Sequence, residues 1–200
     1  MKSDKLKKIE IALLMALCIT LCYGTYINAA KENLSQNVIR FHVIASSDDE
    51  AEQELKLRVK EPLVTYLEKL LENTETAAEA KERIEEQLPE IESLALSLSE
   101  GRSVAVLFGT NEYPIRSAEG YTLPAGEYTS LRVVLGEGDG QNWWGVIFPD
   151  LTPDAVAAVQ TSALNEKGVS LISDDEDGVS IKFKAIEYFD GLKRFFSQES

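Results

Sequence analysis

The sequence predicts an α+β fold, a mainly antiparallel sheet packed with helices and preceded by an N-terminal hydrophobic helix. Three observations carry that prediction. Short β-rich runs such as Val38–Ile44, Val104–Phe108 and Tyr128–Leu135 are bounded by turn residues. Between the first two runs, apolar residues recur at helical spacing through Leu55, Val59, Leu63, Tyr66 or Leu67, and Leu70, and again through Ala80, Ile84, Leu88, Ile91, Ala95 and Leu98. Ahead of all of them stands a basic start with an apolar stretch behind it.

That start contains Lys2, Lys5, Lys7 and Lys8, followed by an almost wholly apolar segment from Ile11 to Leu21. The pattern fits an export signal or a membrane anchor. Residues 9–27 approach the ~20 residues a helix needs to span a bilayer. The chain therefore divides at residue 30 into a signal peptide or membrane anchor (1–30) and an exported body (31–200). Lysines before the segment and an acidic body behind it agree on orientation, with the start inside and the body outside.

The 200 residues carry a formal net charge of −14. Residues 1–30 contain four lysines against Asp4 and Glu10, so the remainder is more acidic still. Such a body is repelled by nucleic acid, whose binding rests on neutralised phosphates. Both cysteines, Cys18 and Cys22, lie in the apolar segment. The body therefore has no disulfide framework, thiol nucleophile or thiolate metal site.

Each element of the body has its local reason. Val38–Ile44 reads as a strand. Ser47 and Glu50 have capping-box spacing for the first helix, which Pro62 is expected to break near Glu61, because an interior proline costs about 3 kcal/mol. Thr76 and Glu79 form a second capping box, and Pro89 marks a joint in the helical stripe that follows. Val104–Phe108 reads as a strand ended by Gly109, Thr110 and Asn111, and Tyr113-Pro114-Ile115 as extended chain. Tyr128–Leu135 and Trp143–Phe148 read as a β-hairpin with a long, flexible loop, Gly136 to Asn142. A helix over 153–164, a weak strand over 169–172, an acidic turn at 174–178 and an amphipathic helix ending near Phe196 complete the expectation.

No catalytic or metal-binding constellation assembles from these residues. The single histidine, His42, lies among Phe41, Val43 and Ile44 without a nucleophile-elbow serine elsewhere, and reads as a structural imidazole rather than a base. The run Asp174–Gly178 fails the EF-hand pattern, since Lys184 occupies the position of the bidentate glutamate. Gly136, Gly138 and Gly140 precede a tryptophan-bearing strand instead of a helix, and Glu137 and Asp139 between them disfavour an anion. No cofactor and no metal are expected. Trp143 and Trp144, adjacent in a strand, point to opposite faces. One belongs to the core; the other lies outward, at an edge or beneath a covering helix. An outward tryptophan is a favoured interface anchor.

Two blocks of residues carry a family resemblance. Val38-Ile39-Arg40-Phe41-His42-Val43-Ile44-Ala45-Ser46-Ser47-Asp48, with Gln53, Leu55, Lys56, Leu57 and Val59, form the first. Pro124-Ala125-Gly126-Glu127-Tyr128, Leu131-Arg132-Val133, Gly136-Glu137-Gly138 and Asn142-Trp143-Trp144 with Phe148-Pro149 form the second. Together they resemble the stage II sporulation protein R family of endospore-forming bacteria. The resemblance implies a non-enzymatic signalling ligand, exported from the forespore into the intermembrane space. There it activates a membrane-embedded aspartic protease of the mother cell, which processes the pro-form of the early mother-cell sigma factor. The chain departs from the family at Gly145, where relatives usually have cysteine, at Ser46 in place of asparagine, and at Glu61-Pro62 in place of Asp-Ala. The expected partner-contact surface comprises Trp143, Trp144, Asn142, Glu127 and Tyr128, with Arg40 and His42 as a second candidate. The competing readings are an extracytoplasmic cell-wall hydrolase and a cell-wall-binding module.

Overall fold

A computed structural model describes residues 2–118 and 121–149. The elements expected over 153–196 lie outside the described residues. Helix α1 spans Lys2–Asn37 and strand β1 Ile39–Ile44, followed by helices α2 (Glu50–Leu70), α3 (Ala77–Glu86) and α4 (Leu88–Leu98). Strands β2 (Val104–Tyr113), β3 (Arg116–Ala118), β4 (Tyr121–Leu123), β5 (Gly126–Leu135) and β6 (Asn142–Phe148) complete the order. The main sheet runs β2-β5-β1-β6, and β3 and β4 form a separate two-stranded sheet. β1 is parallel to β5 and antiparallel to β6, while β2 is antiparallel to β5. The α+β class holds, with a mixed and mostly antiparallel sheet.

Helix α1 is long and apolar enough to cross a membrane, and its side chains from Ile9 to Leu21 are exposed. That is the character of a segment that directs secretion or anchors a body. The helix carries on past residue 30 to Asn37. Its last turns join the body: Leu34 is fully buried, and Lys81 Nζ donates to the Gln36 carbonyl over 3.1 Å.

The core lies between one sheet face and α2–α4. Ile39, Phe41 and Val43 of β1 and Leu131, Val133 and Leu135 of β5 meet Leu55, Val59, Leu63 and Leu67 of α2, with Ala80 and Ile84 of α3 and Ile91 and Ala95 of α4. These are the positions picked out by the helical spacing. Thr76 caps α3, its side chain accepting from the Glu79 N–H, and α4 starts with Pro89 in its first turn.

Three local expectations are corrected. α2 is continuous through Pro62. The proline is exposed, as is Arg58, whose carbonyl has no N–H at position 62 to accept from. Burial of Leu55, Val59, Leu63 and Leu67, at roughly 1.5–3 kcal/mol each, outweighs the proline's cost of about 3 kcal/mol. The first capping box does not form: Asp49 is the N-cap residue, and Ser47 Oγ accepts from the Asp49 N–H at 3.3 Å and donates to Asp49 Oδ2 at 2.8 Å. β2 does not stop at Gly109 but runs on to Tyr113, because each residue from Val104 to Tyr113 finds a partner on β5.

The largest correction concerns the hairpin. β5 and β6 are not neighbours, because β1 lies between them and pairs with both. Nor is the glycine-rich connection a free loop. Asp139 N–H donates to the Ser46 carbonyl (3.2 Å), Gly140 N–H to the Ala45 carbonyl (3.0 Å) and Gln141 N–H to Asp48 Oδ1 (2.7 Å). Lys56 Nζ and Gln53 Nε2 fasten the same junction through the carbonyls of Gln141 and Ser47. Gly136 and Gly138 adopt positive φ, at 59° and 72°. A Cβ at Gly140 would lie 2.2 Å from the Ser47 carbonyl oxygen. Gly140→Ala is therefore expected to cost about 1–3 kcal/mol, the range for overpacking. Gly109→Ala, with nothing within 4 Å of the added carbon, is the control with a much smaller effect. Urea midpoints of the two variants check this; equal midpoints would show that the junction yields freely.

Candidate interaction face

Strand alternation sends every second side chain of the sheet away from the helices. On that far face the register aligns Arg40 with Ser130, and His42 with Arg132 on one side and Trp144 on the other. β2 brings Asn111 opposite Tyr128 and Tyr113 opposite Gly126. The result is a polar and aromatic cluster built from four strands.

Arg40 is its centre. It is 1% exposed, and its guanidinium carbon lies 4.2 Å from the Tyr113 ring centroid, 4.8 Å from that of Trp144 and 5.3 Å from that of Tyr128. Rings from β2, β6 and β5 thus surround one buried cation. Each such contact is worth about 0.5–2 kcal/mol, more when desolvated. Arginine suits the position because its planar, weakly hydrated head stacks on aromatic faces where a lysine ammonium would not.

His42 is also 1% exposed and stacks on Tyr113, with ring centroids 4.8 Å apart and planes 9° from parallel. Asn142 Nδ2 lies 2.9 Å from its Nδ1. Burial, with the Arg40 charge second, lowers the imidazole pKa from 6.5 to about 4, against the hydrogen bond it shares with Asn142, whose Oδ1 lies 3.3 Å from the same Nδ1. Tyr128 donates its hydroxyl to the Pro124 carbonyl at 2.8 Å, and burial pushes its pKa up. Ser130 Oγ accepts from the Tyr113 hydroxyl (2.7 Å) and Asn111 Nδ2 (3.1 Å), and donates to the Gly109 carbonyl (3.3 Å).

Of the residues singled out from the sequence, Arg40, His42, Tyr128, Asn142 and Trp144 come together here. The two groups expected as alternatives form one cluster, in which Arg40, His42 and Tyr128 are buried. Trp143 is on the opposite, helix-packed face. It meets Phe41 edge-on at 5.9 Å, and Lys60 Nζ sits 4.9 Å from its ring centroid. Its indole lies over Gly145, where a Cβ would come within 2.9 Å of Trp143 Cη2. A side chain at that position would displace the indole. Glu127 is exposed opposite Glu112, outside the cluster. Sequence reading missed Tyr113, Ser130, Asn111 and Arg132. The alternation Tyr128, Ser130, Arg132 was a usable signal, but only the β1–β5 pairing makes it one surface with Arg40 and His42.

The cluster and the glycine junction fall within the segment that matches a family model. That model, stage II sporulation protein R, matches residues 35–157, more than half the chain. The chain belongs to the stage II sporulation protein R family. It is similar to the stage II sporulation protein R of Bacillus subtilis (strain 168), with 26% identity over 206 aligned positions, covering 84% of this chain and 92% of the relative. No solved structure matches. The family is named for sporulation, and the match takes in β1, β5, β6 and the cluster they share.

The depressed His42 pKa fixes a direction for stability against pH. Between about 4 and 6.5 the unfolded chain binds a proton at this residue that the folded chain does not, so stability rises with pH in that window. His42 contributes fully above 6.5 and its contribution is lost as pH falls towards 4. Urea unfolding at about pH 7 and about pH 5, either side of the ordinary imidazole range, should show a larger loss for the wild type than for His42→Asn. Equal losses would mean that the imidazole charges without penalty.

Proposed function

We propose that this chain is an exported signalling ligand of sporulation, released or anchored by α1 into the space between forespore and mother cell. It activates a membrane-embedded aspartic protease of the mother cell, which then removes the pro-sequence of the early mother-cell sigma factor. The chain makes and breaks no covalent bond in this scheme. Its body docks on the outward face of the protease and stabilises the active, dimeric form. A ligand shifts such a balance only by preferring one state of its receptor.

Family membership supports this reading, and so does the apolar helix ahead of an acidic body. The single observation that carries the docking surface is Trp144, held half-buried over the Arg40 guanidinium. That arrangement fixes an aromatic side chain in place before a partner arrives, so little ordering entropy remains to be lost on binding. Trp143, by contrast, contributes to the core.

Reconstitution tests the proposal. The full chain, the receptor protease and its pro-sigma substrate are co-expressed, and the shortened product is followed on a gel. Trp144→Ala and, on the exposed rim, Asn142→Ala should each reduce processing at least several-fold, while Leu96→Ala, exposed on helix α4, should not. Wild-type processing by both face variants would reject this surface; no product with the wild-type chain would reject the function.

A further inference from the structure

Strand β2 forms one edge of the main sheet, with β5 on its inner side and no strand on its outer side among the described residues. The Gly136 N–H donates to the Ser103 carbonyl over 2.8 Å, so the backbone groups of Ser103 face β5. These groups alternate in direction along a strand. Those of Val104, Val106, Phe108, Thr110 and Glu112 therefore face away from the sheet. An open edge of this kind is a template for another strand, and proteins usually blunt it with lysine, proline, a bulge or brevity. β2 has none of these: it is ten residues long, pairs with β5 in unbroken register and is uncharged from Val104 to Asn111.

The edge is apolar on both faces. Val104, Val106 and Phe108 lie against the core but stay only partly buried, and Leu107 on the other face is 44% exposed. A fitting occupant is an extended apolar run without charge, and β2 is itself such a run. Antiparallel pairing of β2 with its own copy is self-complementary about a two-fold axis, the commonest symmetry of oligomers. Charge selects the register. With Leu107 on the axis, Val106 meets Phe108 of the second copy, Ala105 meets Gly109, and Glu112 comes opposite Arg102, which Glu52 holds at 2.6 Å. Moving the axis to Val106 would set Glu112 against Glu100, and moving it to Phe108 would leave Glu112 opposite Val104. Opposite charges across a strand pair stabilise it, and like charges destabilise it.

We propose that β2 pairs antiparallel with β2 of a second copy of this chain, with Leu107 on the two-fold axis and the two sheets continuous across it. The pairing satisfies the outward backbone groups, buries Leu107 against its equivalent and finishes the burial of Val106 and Phe108. It does not depend on the chain being a receptor ligand. If the chain is one, the dimer carries two Trp144 faces, enough to hold two receptor subunits together.

Cysteine cross-linking of the full-length protein in detergent micelles tests the register, with Cys18→Ala and Cys22→Ala removing the native thiols. The two copies of residue 107 would form a non-hydrogen-bonded pair with Cα atoms about 4.5 Å apart, a separation that a disulfide bridges. Leu107→Cys should therefore give a disulfide-linked dimer on oxidation with copper phenanthroline. Ala105→Cys, exposed on the same face but about 13 Å from its equivalent, should not. It should link to Gly109→Cys when the two variants are mixed. Sedimentation equilibrium in density-matched detergent reads the association itself. Leu107→Lys should weaken it at least about tenfold, because it sets like charges on the axis and removes an apolar contact. A monomeric wild-type chain, a dimer equally tight in Leu107→Lys, or equal cross-linking of Leu107→Cys and Ala105→Cys would overturn the pairing. So would a monomer whose Val106 and Phe108 amides gain protection from exchange only when the receptor protease is added, which would give the edge to that partner. The cross-linking contains neither receptor nor substrate, so it fails or succeeds independently of the processing assay.

Discussion

The insertion of β1 between β5 and β6 is the constraint on which the rest of this structure depends. A central strand must satisfy hydrogen bonds on both edges and bury side chains on both faces. β1 does so: five of its six residues are buried, including the two polar ones, Arg40 and His42. On the helix side, Ile39, Phe41 and Val43 complete the core. On the other side, aromatic rings and an amide from β2, β5 and β6 receive Arg40 and His42. Burial of a cation costs several kcal/mol unless other groups compensate. The cage of Tyr113, Tyr128 and Trp144 offsets part of that cost and fixes the three rings relative to one another.

The same insertion explains why two distant stretches of sequence share one fate. The chain leaves β1 through Ala45–Asp49 and returns from β5 through Gly136–Gln141, and these two connections bond to each other at the end of the sheet. The glycines there are needed for two physical reasons, positive φ at Gly136 and Gly138 and backbone contact at Gly140. A junction of this kind fixes the register of β6, and with it which tryptophan faces the core. Trp143 packs under Lys60 and Trp144 over Arg40. A slip of one residue would exchange them.

Much of this was legible in the sequence. Helix positions followed from apolar spacing at Leu55, Val59, Leu63 and Leu67, and Thr76 announced α3 through a local cap. Strand runs were located too, since Val38–Ile44 and Trp143–Phe148 carry their propensity with them. What sequence did not reveal was pairing. A glycine-rich link between two strand-like runs has the form of a hairpin, and nothing local says that a strand from far earlier in the chain divides them. Pro62 misled in the opposite direction, because its penalty is local and the burial that outweighs it is tertiary. The candidate face was half legible: Arg40, His42, Trp144, Asn142 and Tyr128 stand out in the sequence, but in two separate blocks, and their partners on β2 carry no local signal.

Amide hydrogen exchange over Ile39–Ile44 tests the central claim most directly. With β5 on one edge and β6 on the other, all the amides of this strand should be protected together, close to the limit set by global unfolding. If β5 and β6 instead paired with each other and β1 lay at an edge, every second amide would exchange orders of magnitude faster, which would contradict the central placement of β1.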